Sequence, residues 1–408
     1  MSLSPGEPLF DAKRYLEEYP EVARFGLDPW VHYLERGGFE WRNPNPLFDS
    51  GWYRSQLPEA DRPQNPLCHY LFEGAFQGLD PHPLFDSACF LRALGESPLS
   101  TSPLETFLRL NAETWSGVYR SLGVLDRVQN DFLRKVEVTL LEDRRGSSRR
   151  WGVFLQCGAR SLHPRWLTQD PKPFDLIVNH YDDSFREPLA ADLRFCQNLG
   201  TKCSGFHLIL EKFPGLLERY DHLLLLDDDL RVSETAITRL FEWVETLGLD
   251  LAQAAVAPGS YGTWPCLFEV QGSIGRYLNA VEIMMPVLSR RALTVTRHLF
   301  PRSISGWGLD FALGEAVRRH FGPRSVGVID AIAFSHENPI DPEEGAYYRM
   351  LRDHGLSALV EERAMALRYG AKGPIDGIRE ETGAEETCDP SGSGPKVAGP
   401  FVDTPISP

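Results

Sequence analysis

The residues with the clearest capacity for chemistry are three consecutive aspartates, Asp227, Asp228 and Asp229. They follow the apolar run Leu223–Leu226, which predicts a buried strand. Three carboxylates at a strand end repel one another, and a divalent cation would neutralise them. Alternate side chains of an extended chain point the same way, so Asp227 and Asp229 are predicted ligands of Mn²⁺ or Mg²⁺. The cluster therefore predicts a metal–diphosphate site that includes Asp228; turn or capping aspartates are the alternative interpretation.

A second candidate element is the segment Gly306-Trp307-Gly308-Leu309-Asp310, which precedes a predicted helix over residues 311–320. Its glycines allow the backbone to pass close to a ligand. The Trp307 indole offers a flat face on which a sugar ring can stack. Asp310 is a candidate general base for an acceptor hydroxyl, and a helix-capping role is the alternative.

One further acid and one histidine complete the candidate set. Glu282 lies in the apolar segment Val281–Pro286 and is a candidate for binding acceptor hydroxyls, or for acting as the base instead of Asp310. The alternative for Glu282 is a surface acid on a half-exposed strand. His336 follows a predicted strand over 326–330, and its neutral imidazole is a candidate third metal ligand. A satisfied loop histidine is the alternative for His336.

These residues need a sheet to bring them together. Strand–helix–strand order with continuous apolar strands predicts a mainly parallel sheet covered on both faces. Ligands of such sheets bind at the carboxyl ends of the strands, and a second carboxylate cluster, Asp182 and Asp183, is predicted to lie there as well. The predicted strands are Trp151–Leu155, Phe174–Asn179 and Leu223–Leu226, and the predicted helices cover Glu187–Leu199 and Gly205–Tyr220.

The N-terminal part of the chain contains an internal repeat. The tetrapeptide Pro-Leu-Phe-Asp begins at residues 8, 46 and 83, and each copy continues with an aromatic residue and then a proline. Each copy is predicted to form two short helices, and the copies are predicted to stack because one alone is too small to bury its aromatic residues. The predicted N-caps are Asp11, Asp49 and Asp86, the helix-starting prolines are Pro29, Pro66 and Pro103, and the left-handed C-caps are Gly37 and Gly74. His32 and His69 are predicted to pack or cap against the neighbouring repeat rather than to bind metal.

Composition divides the chain of 408 residues and excludes several classes of function. Residues 1–110 hold the repeats, 111–149 a helical linker, 150–372 the catalytic domain and 373–408 a tail predicted to be disordered. A net charge of -15 argues against general nucleic-acid binding. The chain lacks the roughly 20 consecutive apolar residues of a membrane span, and its scattered cysteines favour a reduced compartment. The expected location is cytoplasmic, with peripheral association at the inner membrane left open.

The order of the motifs resembles that of the domain of unknown function 707 family, which is related to GT-A glycosyltransferases. The resemblance covers about residues 150–355. It is carried by Tyr181-Asp182-Asp183, Asp227-Asp228-Asp229, Glu282-Ile283-Met284-Met285-Pro286, Gly306-Trp307-Gly308-Leu309-Asp310 and Val326-Gly327-Val328-Ile329-Asp330 with His336. The N-terminal repeat is similar to one found beside glycosyltransferase domains in bacterial surface-polysaccharide proteins.

The resemblance implies a fold and a set of roles. The fold class is α/β, with a GT-A-like (Rossmann-like, mainly parallel) catalytic domain behind an all-α repeat domain. GT-A enzymes bind a nucleoside-diphosphate sugar and Mn²⁺ or Mg²⁺, which maps onto Asp227 and Asp229. The acid of a similar Gly-Trp-Gly motif is the base of inverting enzymes, which maps onto Asp310, and Asp182 or Asp183 would hold the nucleoside. The second acid usual in that motif is absent, because Phe311 follows Asp310.

Together these features predict an inverting, metal-dependent glycosyltransferase of polysaccharide biosynthesis. Its donor would be a nucleotide sugar and its acceptor a glycan or glycoconjugate, with a protein partner for the repeats as a further expectation. The alternatives are a metal-dependent phosphohydrolase and a non-catalytic scaffold that binds glycans or partner proteins.

Overall fold

The structure is a computed structural model that describes residues 9–24, 26–95, 101–110, 119, 121–146, 149–166, 172–186, 191–215, 217, 219–339, 345–370, 375 and 377. The chain divides into two compact units, residues 1–131 with 342–364 and residues 132–341 with 365–408. The sequence placed residues 342–364 in the catalytic domain, whereas they cluster with the repeats. Of the predicted disordered tail, only residues 375 and 377 lie within the described part. No helix of the described residues is long and apolar enough to cross a bilayer.

The helices of the first unit are short. In chain order the α-helices of the described residues in both units are α1 Ala12–Glu18, α2 Pro20–Arg24, α3 Pro29–His32, α4 Ser50–Ser55, α5 Pro66–His69, α6 Ser87–Leu94, α7 Pro103–Arg109, α8 Leu122–Leu133, α9 Lys202–Lys212, α10 Glu234–Leu247, α11 Arg290–Thr296, α12 Leu309–Phe321, α13 Ala346–Asp353 and α14 Ala358–Tyr369. Two π-helical turns, Tyr33–Gly37 and Tyr70–Gly74, extend α3 and α5.

The helix starts of the repeats follow the sequence prediction. The three predicted aspartates each accept a hydrogen bond from the backbone N–H three residues ahead, as N-caps do. The three predicted prolines each occupy the first turn of a helix, where a missing N–H costs nothing. Equivalent backbone hydrogen bonds join successive copies, from Asp11 N–H to Pro44 O at 2.9 Å and from Asp49 N–H to Pro81 O at 3.0 Å. Side chains from all three copies share one apolar core, as the stacking prediction requires.

The predicted left-handed caps at Gly37 and Gly74 are wrong. Both glycines end π-helical turns, and neither has a positive φ. A Cβ at Gly37 would lie 2.0 Å from the Tyr15 hydroxyl, and one at Gly74 would lie 1.9 Å from the Tyr53 hydroxyl. These positions require glycine because a buried tyrosine approaches the backbone closely.

The repeat histidines bind those same tyrosines. The Tyr15 hydroxyl lies 3.0 Å from His32 Nδ1, and the Tyr53 hydroxyl lies 2.7 Å from His69 Nδ1. Each histidine therefore satisfies a buried hydroxyl of its own copy, whereas the prediction had it pack or cap against the neighbouring repeat.

The second unit is built on one mixed sheet. Its strands are β1 Val138–Asp143, β2 Trp151–Cys157, β3 Asp175–His180, β4 Leu193–Gln197, β5 His222–Leu226, β6 Leu230–Arg231, β7 Leu251–Val256, β8 Arg276–Tyr277, β9 Val287–Ser289 and β10 Val326–His336. The order is β1-β4-β3-β2-β5-β9-β7-β10-β6, with β8 also paired to β10. Pairs β2–β3, β3–β4, β2–β5 and β7–β10 are parallel. Helices α9 to α12 pack against the strands, so the predicted α/β class with a mainly parallel sheet is confirmed.

One local prediction is wrong, and another holds only in part. The stretch 187–199 was predicted to be helical, but its described part contains β4, whose residues Leu193 and Phe195 are fully buried. The predicted helical linker, residues 111–149, contains α8 but ends in β1, which pairs antiparallel with β4. Residues 111–118, the first part of the predicted linker, fall outside the described residues.

Candidate functional site

The aspartate cluster lies at the carboxyl end of β5, which is central in the sheet. Four buried leucines in β5 anchor this end, and Asp227 N–H donates to Met284 O at 3.0 Å. The segment ahead of β9 therefore runs beside the cluster and places Glu282 next to it. Each of the three aspartates has different partners, and together these partners define the site.

Asp227 is paired with a lysine that sequence reasoning missed. Lys202 Nζ lies 2.6 Å from Asp227 Oδ1, 2.6 Å from Ile283 O and 3.2 Å from Met284 O. All three N–H groups of this buried ammonium thus have an acceptor. The surrounding protein shields half-buried Asp227 from water, which raises its pKa, and the Lys202 charge opposes that shift.

Asp228 points to the opposite side, toward the end of β2. Its Oδ2 accepts from Gly158 N–H at 2.9 Å and from the Tyr181 hydroxyl at 3.1 Å. Burial raises the pKa of Asp228 to about 6, although both hydrogen bonds lower it. A Cβ at Gly158 would lie 2.3 Å from the Tyr181 ring, so a glycine is needed for this ring to close over the loop.

Asp229 faces the predicted histidine. Strand β6 follows it directly and pairs antiparallel with the end of β10, Leu230 opposite His336. This pairing leaves Asp229 Oδ2 3.3 Å from His336 Nε2 and 3.1 Å from Asn338 Nδ2. Burial alone would raise the pKa of Asp229, but these two hydrogen bonds outweigh burial and lower it.

The other ring nitrogen of His336 is held by the backbone. His336 Nδ1 lies 3.1 Å from Tyr261 O, and Tyr261 N–H donates to His336 O at 3.3 Å. Burial alone would lower the pKa of His336, but the Asp229 carboxylate outweighs burial and raises it. Both ring nitrogens face acceptors, so the ring donates to both only when it is protonated. Loss of the Nε2 proton would keep Nδ1–H on the carbonyl and leave Nε2 to bind a cation, as in metal-ligating histidines.

Glu282 is buried, contrary to the alternative of a surface acid on a strand. Its side chain lies in an irregular segment ahead of β9, and the residue is 8% exposed. Its N–H donates to Gln253 Oε1 at 2.7 Å, and Thr263 hydrogen-bonds to its carboxyl group. Burial raises the pKa of Glu282, and the charge of Asp227 raises it further. Among the described residues, no group donates to the buried Glu282 Oε2.

Asp310 lies in the first turn of α12, whose N-cap is Gly308. Asp310 is therefore not the N-cap that the alternative interpretation required. Gly306 and Gly308 have φ values of 80° and 74°, the left-handed region that glycine adopts without strain. A Cβ at Gly314 would lie 2.2 Å from Asn279 O, so α12 packs closely on the residues just ahead of Glu282.

Trp307 is half-buried in the loop before α12. Its backbone N–H donates to Ser305 Oγ at 3.2 Å, and its backbone carbonyl accepts from Ser303 Oγ at 2.9 Å. Thr201 Oγ1 donates to Ile304 O at 2.5 Å. The loop is thereby tied to the residue that caps α9, one position before the lysine that holds Asp227.

The two acids after β3 have different surroundings. Asp182 accepts from Ala159 N–H and Ser184 N–H, each at 2.9 Å. Burial alone would raise its pKa, but these bonds and one from the Ser184 side chain lower it. Asp183 is exposed and pairs with Arg186 at 3.3 Å. Asp182 therefore lines the loop after β2 together with Asp228, whereas Asp183 points to solvent.

The side chains at this strand end fit a cation that is shared with a ligand. Within the described residues, no three His, Cys, Asp or Glu form a group able to hold a metal ion alone. Asp229 and His336 nevertheless present an oxygen and a nitrogen to each other, and Asp227 keeps one oxygen that Lys202 does not hold. Mg²⁺ usually takes one or two carboxylates and completes its shell with substrate phosphates and water.

Several contributors had weak or no signals in the sequence. Lys202, Asn338 and Tyr261 reach the site only through the folded sheet. The one usable signal was the Thr201–Ser204 capping box, which fixes the start of α9 and hence the position of Lys202.

Comparison with known proteins gives one partial family match and several matches among solved structures. The sequence profile of a family described as a protein of unknown function (DUF707) matches residues 276–349. No curated protein sequence matches the chain. Among solved structures, S. aureus TarS 1–349 is 10% identical, with a TM-score of 0.35 over 53% of this chain and 69% of that chain.

Two further structures contain ligands. TarS 1–349 in complex with UDP-GlcNAc is 9% identical with a TM-score of 0.32, over 49% of this chain and 60%, less than two thirds, of that chain. Glucosyl-3-phosphoglycerate synthase from Mycobacterium tuberculosis, in complex with Mn²⁺, UDP-glucose and phosphoglyceric acid, is 14% identical with a TM-score of 0.31, over 58% of this chain and 85% of that chain.

The family match contains Glu282, the Gly306–Asp310 motif and His336, and the aspartate cluster lies ahead of it. The family resemblance predicted from the order of the motifs is confirmed, because residues 276–349 of this chain match DUF707.

Proposed function

We propose that the second unit is a glycosyltransferase that moves a sugar from a nucleoside diphosphate to a hydroxyl of a glycan or glycoconjugate. The observation that carries the proposal is the pairing of Asp229 with His336 at the end of β5, beside two further aspartates and Lys202. Ligand-binding oxygen and nitrogen atoms concentrated at the carboxyl ends of central strands suit a metal–diphosphate group.

Asp229, His336 and the free oxygen of Asp227 would hold the Mn²⁺ or Mg²⁺. When bound, this cation would neutralise the donor diphosphate and stabilise it as a leaving group. Lys202 keeps Asp227 in place, and Tyr261 O keeps the His336 ring in place. Asp182, Asp228 and Trp307 would border the donor; Asp183, which is exposed, is the weakest member of the predicted set.

The proposed reaction inverts the anomeric carbon. The acceptor oxygen forms a bond to that carbon as the bond from the carbon to the diphosphate oxygen breaks. The electron pair of the broken bond leaves with the nucleoside diphosphate, and the hydroxyl proton passes to the Asp310 carboxylate. Glu282 remains the alternative base. A role in cytoplasmic polysaccharide biosynthesis, peripheral to the membrane, belongs to the same proposal.

The test is nucleotide binding followed by transfer. UDP, GDP and their common sugar conjugates are titrated into the full chain with and without Mn²⁺, because ligands of the folded state raise its melting temperature. We expect a metal-dependent shift with one nucleotide, which Asp229→Asn abolishes. Asp61→Asn is the matched control, because that acid is exposed and lies in the repeats, and it should leave the shift unchanged.

Product analysis separates the proposal from its alternatives. Release of nucleoside diphosphate that requires a sugar acceptor supports a transferase. Release of inorganic phosphate without an acceptor would instead indicate a phosphohydrolase. If no nucleotide binds in the presence of Mn²⁺, the transferase proposal is wrong and the scaffold function takes its place.

A further inference from the structure

The loop after β7 contacts each of the candidate catalytic elements. Tyr261 exchanges hydrogen bonds with His336, and Thr263 hydrogen-bonds to the Glu282 carboxyl group. Trp264 packs edge-on against Phe311, the residue after Asp310, with ring centroids 5.7 Å apart. This loop, residues 257–264, therefore contacts the candidate metal ligand His336, the buried acid Glu282 and the residue next to the candidate base.

Tyr261 combines a fixed backbone with an exposed ring. Both its N–H and its carbonyl bind His336, yet the residue is 50% exposed. A large aromatic face held beside a polar site is suited to stacking against the apolar face of a sugar ring. Stacking from a fixed platform also loses little conformational entropy, which favours binding.

Glu282 supplies a polar contact for the same ligand. Its Oε2 is buried without a donor among the described residues, and a buried acceptor normally has a partner. Lys202 links Asp227 to Ile283 O and Met284 O, so the backbone that directly follows Glu282 is held beside the aspartate cluster. A hydroxyl group that enters the site would satisfy this oxygen.

We propose that Tyr261 and Glu282 form the acceptor subsite, which takes a hexopyranose ring. The ring stacks on the Tyr261 side chain, and one of its hydroxyl groups donates to Glu282 Oε2. This inference rests on the proposed function and assigns Glu282 to acceptor binding, which leaves Asp310 as the base. A second exposed tyrosine, Tyr181, binds Asp228 on the other side of the cluster and belongs to the donor side.

The experiment uses the full chain with UDP and Mn²⁺ present. Methyl glycosides of glucose, galactose, mannose and N-acetylglucosamine are screened by saturation-transfer NMR. We expect at least one to receive saturation mainly on the C–H protons of one ring face. Tyr261→Ala should reduce its affinity at least tenfold, and Tyr261→Phe, which keeps the ring, should restore it. Glu282→Gln should weaken binding about tenfold, because the hydroxyl group then donates to a neutral amide oxygen rather than to a carboxylate.

Controls separate this inference from the proposed function. Tyr347→Ala removes another exposed tyrosine, 38% exposed in α13 of the first unit, and should leave glycoside binding intact. UDP affinity, measured by calorimetry on the same variants, should be unchanged in Tyr261→Ala. If UDP binds but no methyl glycoside does, or if Tyr261→Ala binds glycosides as wild type does, the acceptor subsite is wrong while the transferase proposal stands. If UDP, GDP and their sugar conjugates all fail to bind, the transferase proposal itself fails.

Discussion

The repeat histidines His32 and His69 differ from His336 of the second unit in the groups that they contact. In the first unit, His32 and His69 each contact a buried tyrosine hydroxyl that is 17 or 16 residues away in the chain. In the second unit, His336 lies between a backbone carbonyl and the carboxylate of Asp229, which is 107 residues away. Glu73 also lies 3.7 Å from His69 Nε2, but it is only four residues away on the same helical segment. A local partner is typical of a packing role, whereas a carboxylate from a distant part of the chain is typical of a site. The comparison teaches that the partner, rather than the residue type, indicates the role.

The same contrast extends to the units as a whole. Substitutions in the repeats should lower stability and leave the proposed transfer chemistry unchanged. Substitutions around the aspartate cluster should lower the transfer activity and leave stability unchanged. Lys202 is the exception, because it both stabilises the fold and orients Asp227. The following predictions test this division from the largest expected effect to the smallest.

The largest effect is expected for Asp310→Asn. Removing a general base typically costs about 10²- to 10⁴-fold in rate, so kcat should fall by that factor. The KM for the acceptor and the melting temperature should change little. Steady-state kinetics with purified protein measure this. If Glu282→Gln lowers kcat more than Asp310→Asn does, the two acids exchange roles and the acceptor-binding role of Glu282 is lost.

Lys202→Met should affect stability and activity together. The substitution leaves Asp227, Ile283 O and Met284 O without their shared donor, and we expect a loss of about 2 kcal/mol in the free energy of unfolding. The partial exposure of Asp227 keeps this below the cost of breaking a fully buried pair. Metal-dependent turnover should also fall, because Asp227 is no longer oriented.

The matched control for that variant is Lys212→Met, at the exposed end of the same helix. It removes the same charge without any of these partners. Urea unfolding of both variants provides the measurement. Equal stability of the two would mean that the Lys202 ammonium contributes nothing to the fold.

The elements that sequence predicted well are those fixed by local physics. The caps at Asp49 and Asp86 depend on a side chain and a backbone N–H three residues apart. The aspartate cluster was placed at a strand end because four leucines precede it, and β5 ends there. Such features need no knowledge of distant parts of the chain.

What sequence missed depends on contacts across the sheet. Tyr261 meets His336 from 75 residues away, and Lys202 meets Ile283 O from 81 residues away, so no spacing rule reveals either contact. The misassigned strand β4 is only five residues long, too short for its period to be distinguished from that of a helix. Gly37 and Gly74 were correctly singled out but for the wrong reason, since a distant tyrosine rather than a positive φ requires them.

Gly74→Ala should destabilise the repeats by about 1–3 kcal/mol, the usual range for overpacking a core. Its Cβ would lie 1.9 Å from the Tyr53 hydroxyl. Gly51→Ala is the control, because its Cβ meets nothing closer than 3.5 Å and alanine favours the helix. In a Tyr53→Phe background the cost of Gly74→Ala should shrink, and a double-mutant cycle measures this coupling. Strict additivity would show that the hydroxyl contact is not what excludes a side chain.

The smallest effects are expected at the repeat caps, and they should follow a fixed order. Asp49→Ala should cost about 1 kcal/mol, as for a typical N-cap. Asp86→Ala should cost more, because Asp86 is buried and its second oxygen also accepts from Ser357 Oγ at 2.7 Å. Asp11→Ala should cost least, because Asp11 is exposed. Urea unfolding of the three variants measures the order, and kcat should be the same in all of them. A cap variant that keeps its stability but loses activity would break the division of roles between the two units.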